Sequence, residues 1–115
     1  MVVKEEYIPT QGDIVQLNYD SNLIGNEQRG RRPGLVISEQ KLNDFTSLCM
    51  ICPITNNKKC FPFQVELSHN QKTKGIIMCE QLKSINFRER KIKFLEKIKP
   101  KELEEVLEIM QGIFF

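Results

Sequence analysis

Between residues 12 and 20 the chain reads GDIVQLNYD, and Val15, Leu17 and Tyr19 alternate with more polar neighbours. A period of two predicts a half-buried strand. After a loop over 21–34, rich in Asn, Gly and Arg, the runs LVIS and SLCMICPIT are apolar but too short for helices, and they predict two buried strands. NNKK and CFPF form a turn or short loop, FQVELS alternates again, SHNQKTKG is a loop, and GIIMCEQL is a further strand. SINFRER looks irregular or briefly helical, and KIKFLEKI predicts a last strand.

The C-terminal pattern changes period. In PKELEEVLEIMQGIFF, Leu103, Val106, Leu107, Met110 and Phe114 recur at helical spacing, and Glu102, Glu104, Glu105 and Glu108 fall largely on the other faces. Pro100 stands where a first-turn proline is tolerated. Many short strands followed by one amphipathic helix predict a mainly β domain: a small barrel or bent antiparallel sheet with the helix laid on it.

Composition narrows the class. A chain of 115 residues predicts one domain over 1–115, able to bury about two-thirds of its unfolded surface. The formal net charge of +2 is too small for a general nucleic-acid coat, so a bound anion would be held by a local cluster. No stretch approaches the ~20 apolar residues of a membrane span, and the polar start is not a signal peptide, so a cytoplasmic location is expected.

Metal chemistry is disfavoured on geometry. Cys49 and Cys52 form a CxxC that Cys60, His69 and Cys79 could in principle complete. A strand, however, sends positions i and i+3 to opposite faces, so these thiols should diverge and remain reduced. No metal site and no cofactor are expected. His69 stands alone, which rules out a two-histidine ribonuclease, and the glycine-rich phosphate-cradling motifs are missing.

Arginine is the informative residue. Twelve lysines are scattered along the chain, but the five arginines fall in two clusters: Arg29, Arg31, Arg32 and Arg88, Arg90. The planar guanidinium matches phosphate oxygens bidentately. In GNEQRGRRPGLVIS, Glu27 offers a base and Gln28 an amide beside these cations, and Thr55 at the end of SLCMICPIT is a hydroxyl candidate. Such a set suits phosphodiester cleavage of RNA, which needs a group to take the 2′-hydroxyl proton and positive charge where the phosphorane develops.

These residues resemble the MazF/PemK (Kid) toxins of bacterial toxin–antitoxin systems over nearly the full chain length. GNEQRGRRPGLVIS is similar to that family's G-S-E-Q-x-G-x-R-P run, and ICPIT, FPFQVELS and GIIMCEQLKSI follow in the expected order. The resemblance implies an SH3-like antiparallel barrel of the MazF/Kid/CcdB type, with short helices and a C-terminal helix, forming a homodimer. It implies a sequence-specific, metal-independent endoribonuclease that leaves 2′,3′-cyclic phosphate and 5′-hydroxyl ends on single-stranded RNA. It further implies a MazE-like antitoxin whose acidic C-terminal tail blocks the RNA groove.

Matched one at a time, Arg32 and Thr55 take the family's catalytic arginine and threonine, and Glu27 its glutamate. Asn26, Gln28, Arg29, Arg31, Asn56, Lys58, Lys59, Glu80 and Gln81 are then expected along the RNA path. Asn26 replaces the usual serine, and Arg29 and Arg31 fill both variable positions. The Kid branch uses an arginine near its CDQ segment; here Met78, Cys79, Glu80 and Gln81 lack one, which favours the MazF branch. The same fold serves CcdB-like toxins that poison DNA gyrase without cleaving anything, with the C-terminal IFF as contact surface. A relative that binds RNA or antitoxin without cutting is the other alternative.

Overall fold

The structure, a computed structural model, describes residues 6–19 and 30–115. Among these, seven strands run β1 Asp13–Tyr19, β2 Gly30–Val36, β3 Leu48–Thr55, β4 Gln64–Glu66, β5 Ile76–Met78, β6 Lys83–Asn86 and β7 Lys93–Lys97. Helix α1 covers Gln40–Thr46, α2 covers Pro100–Phe114, and a single 3-10 turn covers Cys79–Gln81. The strand order is β4-β5-β3-β2-β1-β7, with β6 on β3, and every pairing is antiparallel.

β3 is the hinge of this sheet. Its residues Leu48–Ile51 pair with β6, and Ile54 and Thr55 pair with β5. Pro53, which has no N–H to give, stands between the two ladders. The strand is therefore buried almost throughout, as its apolar run predicts.

Two apolar clusters lie on the two faces. Ile14, Leu35, Cys52, Ile54, Val65, Ile77 and Cys79 form one, closed by Val106 and Met110 of α2. Val15, Leu17, Val36, Cys49, Ile51 and Phe87 form the other. β1 thus buries both faces, Ile14 on one side and Val15 with Leu17 on the other, because α2 covers what a two-layer reading leaves to solvent. Cys49 and Cys52 fall in different clusters, so the CxxC thiols diverge as strand geometry requires.

The C-terminal helix forms as its periodicity predicts, with Ile109 and Ile113 joining Leu103, Val106 and Met110 on the packed face. Full burial of Val106 contributes about 1.5–3 kcal/mol. Phe114 does not belong to that face and is half exposed, while Glu102 is buried in the first turn, where the helix dipole favours a carboxylate.

Three further expectations are corrected. The loop expected over 21–34 is strand from Gly30 onward, where Gly30–Pro33 pair with Gln16–Tyr19 as part of β2, and its residues 21–29 lie outside the described residues. The strand expected over 75–82 stops at Met78 and turns into the 3-10 segment, and the stretch expected to be irregular at 84–90 opens with β6. Helix α1 was not signalled by the pattern at all.

Candidate functional site

Arg32 lies on β2 opposite Leu17 of β1, and Thr55 closes β3. The β2–β3 ladder pairs Val36 with Ile51, Leu35 with Cys52 and Gly34 with Pro53. Arg32 and Thr55 each lie two residues beyond the end of that ladder. Residues two apart on a strand share a face, so both positions continue the face that carries Gly34, Ile51 and Leu17. Both are half-buried.

The backbone at this point is closely fitted. A Cβ on Gly34 would come within 2.5 Å of Ile51 Cγ2, so glycine lets β2 approach β3 beside Arg32. Gly75, at φ +135°, packs its backbone under Thr55: a Cβ there would stand 2.5 Å from the Thr55 carbonyl oxygen. The Thr55 hydroxyl accepts the Asn57 N–H at 3.3 Å, which engages an oxygen lone pair and not the hydroxyl proton.

Asn56, Lys58 and Lys59 follow on the exposed β3–β4 loop. That loop is tied to the 3-10 turn, because Gln64 Nε2 donates to Glu80 Oε2 at 2.9 Å. Glu80 and Gln81 are exposed beside it. Arg31 pairs with Asn18 on the backbone of β2. Asn26, Glu27, Gln28 and Arg29 lie outside the described residues.

Three residues at the site carry no signal in the sequence pattern. Lys83 pairs with Ile51, which puts it on the same face as Arg32 and Thr55. Phe61 and Phe63 present exposed rings on the β3–β4 loop. A strand register and a ring's exposure are both decided by long-range packing, so neither is readable from local composition.

The second arginine cluster is structural in part. Arg88 donates to Glu6 Oε1 at 2.7 Å, to Asp44 Oδ1 at 3.1 Å and to Ser47 Oγ, while its guanidinium covers the Phe87 ring at 4.9 Å. Asp13, buried at the far end of β1, accepts from Tyr7 Oη at 2.5 Å and from the Thr10 N–H at 3.1 Å, with Lys97 Nζ at 2.5 Å. Its acceptors are committed to holding the N-terminal segment and β7 together. Burial and that carboxylate push the Tyr7 hydroxyl well above the usual tyrosine range. Among the described residues, no group of three or more His, Cys, Asp or Glu side chains could hold a metal ion. No helix there is long and apolar enough to cross a membrane.

Residues 10–114 match the family described as PemK-like, MazF-like toxin of type II toxin–antitoxin system. The endoribonuclease toxin MazF of Escherichia coli K12 is 36% identical over 98 residues, spanning 85% of this chain and 86% of that protein. The endoribonuclease PemK of Escherichia coli is 31% identical over 101 residues, spanning 84% and 75%. A crystal structure of MazF from Deinococcus radiodurans aligns at a TM-score of 0.82 and 32% identity, covering 94% of this chain and 97% of that one. A MazE–MazF structure from the same organism aligns at 0.82 and 30%, covering 94% and 96%.

The bent antiparallel sheet and the C-terminal helix are those of a small bacterial toxin fold. The chain belongs to the PemK-like, MazF-like toxin family of type II toxin–antitoxin systems. Of the two Escherichia coli relatives, MazF is the nearer, in keeping with the branch its Met78–Gln81 segment favours.

Proposed function

We propose that this protein is an endoribonuclease toxin that cuts single-stranded RNA at a phosphate held between Arg32 and Thr55. The observation that supports this reading is that Arg32 and Thr55 lie two residues past the end of the β2–β3 ladder, at same-face positions of adjacent strands, with a lysine-bearing loop following Thr55. The 2′-oxygen of the substrate attacks phosphorus, Glu27 takes the 2′-hydroxyl proton, and the P–O5′ bond breaks. The products are a 2′,3′-cyclic phosphate and a 5′-hydroxyl, the departing oxygen taking its proton from water.

Arg32 meets the charge that grows on the phosphorane, where a preorganised fork acts most strongly. Its part is electrostatic, because a guanidinium is a poor literal acid. Thr55 donates its hydroxyl proton to a non-bridging oxygen. Asn26, Gln28, Arg29, Arg31, Asn56, Lys58, Lys59, Glu80 and Gln81 line the path of the flanking nucleotides. The internal nucleophile makes a catalytic metal unnecessary. The protein works as a homodimer, and an antitoxin of the MazE kind, with an acidic C-terminal tail, silences it by occupying the same basic path. Support for that partner comes from the MazE–MazF complex of the Deinococcus radiodurans relative.

Purified protein incubated with mixed-sequence RNA tests the reading, with a gyrase supercoiling assay run in parallel. Fragmentation of the RNA without loss of supercoiling is expected. Gyrase inhibition with intact RNA would replace this reading by that of a non-enzymatic toxin, and intact RNA with unaffected gyrase would leave a protein that binds without cutting.

A further inference from the structure

The β3–β4 loop carries an aromatic pair that the cleavage chemistry does not use. Phe61 and Phe63 are 53% and 57% exposed. They flank Pro62 in a tight turn that the Gln64 N–H closes onto the Phe61 carbonyl at 3.2 Å. Phe63 holds φ at +71°, the left-handed region. In a turn with proline at the second position, the residue that follows at positive φ is ordinarily glycine or asparagine. An aromatic ring is kept there against its backbone preference and is then turned out to water. Neither the backbone nor burial accounts for that choice, and strain of this kind clusters at ligand-contacting sites.

The turn is also preorganised. Gln64 Oε1 accepts the Phe61 N–H at 3.1 Å, and Gln64 Nε2 donates to Glu80 at 2.9 Å, so the backbone of the turn is tied to the 3-10 segment. Lys59 Nζ lies 5.9 Å from the centre of the Phe61 ring. An ammonium beside an exposed ring, on the loop that leaves Thr55, pairs a phosphate contact with a flat apolar face. That combination is how unpaired nucleic acid is held: bases stack on aromatics while cations follow the backbone.

We propose that Phe61 and Phe63 are a stacking platform for unpaired bases flanking the cut, with Lys59 holding the neighbouring phosphate. The proposal rests on the RNA-cleaving function stated above. The platform fixes where the strand leaves Thr55 and so contributes to which position is cut.

The test uses the full chain and a short, fluorescein-labelled, random-sequence 2′-deoxy single strand, which lacks the attacking hydroxyl and is bound but not cut. Affinity is measured by anisotropy for the wild type and for Phe61→Leu, Phe63→Leu, Phe63→Gly and Phe63→Tyr, with melting temperature and size-exclusion volume alongside. Stacking predicts about tenfold or greater weakening for the leucine and glycine variants, and near-wild-type affinity for tyrosine. Phe63→Gly is the decisive variant, because glycine relieves the positive φ: it should melt no lower than wild type and still bind weakly.

Wild-type-like affinity in the leucine and glycine variants would overturn the platform while leaving the RNA-cleaving function standing. Unchanged affinity with a shifted elution volume would assign the rings to a protein contact instead. A wild-type protein that binds no single strand would defeat the function as well as the platform.

Discussion

Arg32 and Thr55 sit on adjacent antiparallel strands, each two residues beyond the Gly34–Pro53 pair that ends their ladder, at positions on one side of the sheet. Two groups that meet the same phosphate cannot act independently. Arg32→Ala and Thr55→Ala are each expected to lower cleavage by about 10²–10³-fold, the loss typical of one transition-state donor. The double variant should fall little below the worse single one, because effects within one constellation are strongly non-additive. Losses that simply multiply would place the two residues on separate contacts.

Gly75 is predicted to be irreplaceable for a local reason. Any side chain there meets the Thr55 carbonyl oxygen at 2.5 Å and Ile54 Cγ2 at 2.8 Å, at a φ of +135°. Gly75→Ala should destabilise by about 2–3 kcal/mol and displace Thr55, lowering cleavage as well. Gly112 supplies the control: a Cβ there meets nothing within 4 Å on helix α2, so Gly112→Ala should stabilise by about 0.5–1 kcal/mol. Thermal melts of the two variants decide the point, and a neutral Gly75→Ala would contradict it.

Acid should loosen the loop before β5. Glu96 Oε1 accepts Gln71 Nε2 at 2.6 Å and the Lys72 N–H at 3.2 Å, and its Oε2 accepts the Thr73 N–H at 2.5 Å. Burial pushes this carboxyl up, but the hydrogen bonds from Thr73, Lys72 and Gln71 outweigh it and hold the group below its usual range. A depressed folded-state value contributes stability that is present above the unfolded value, about 4.3, and is lost as pH falls through the folded one. Glu96→Gln should therefore cost about 1 kcal/mol at neutral pH, and its deficit should vanish in acid. A deficit independent of pH from neutral to 3 would exclude this origin.

Only one thiol should react in the native protein. Cys60 is exposed, whereas Cys49, Cys52 and Cys79 are buried. Burial pushes Cys49 up to about 12, and Cys52 is raised further by its hydrogen bond to Cys79 together with burial. Brief maleimide treatment should add a single label at Cys60, with all four cysteines labelled after denaturation. Rapid native labelling of a second cysteine would show that β3 opens readily.

Most strands were legible as short alternating or apolar runs, and the C-terminal helix by its period, as at Leu103, Val106 and Met110. β1, however, buries both faces, and β6 was not legible. Helix α1 was not, because its buried residue is Asn43, which bonds to Ser38 and to the Pro9 carbonyl. Its apolar residues Leu42 and Phe45 point to solvent, so no amphipathic signal arises. Arg31, Arg32 and Pro33 do not look like a strand either; pairing with β1 makes them one. Of the site, Arg32 and Thr55 could be named from residue chemistry and family pattern. Their placement on adjacent strands, and the outward rings of Phe61 and Phe63, depend on long-range register and turn geometry.

Cleavage at the Arg32–Thr55 face by attack of the substrate's own 2′-oxygen leaves a chemical signature on the RNA ends. The most direct measurement is the end chemistry of fragments released from a long mixed-sequence RNA in EDTA, by the wild type and by Arg32→Ala side by side. Fragments with 2′,3′-cyclic phosphate and 5′-hydroxyl ends are expected from the wild type, and almost none from a folded Arg32→Ala protein. Fragments with 5′-phosphate ends, cleavage that requires added metal, or undiminished cutting by Arg32→Ala would contradict this mechanism.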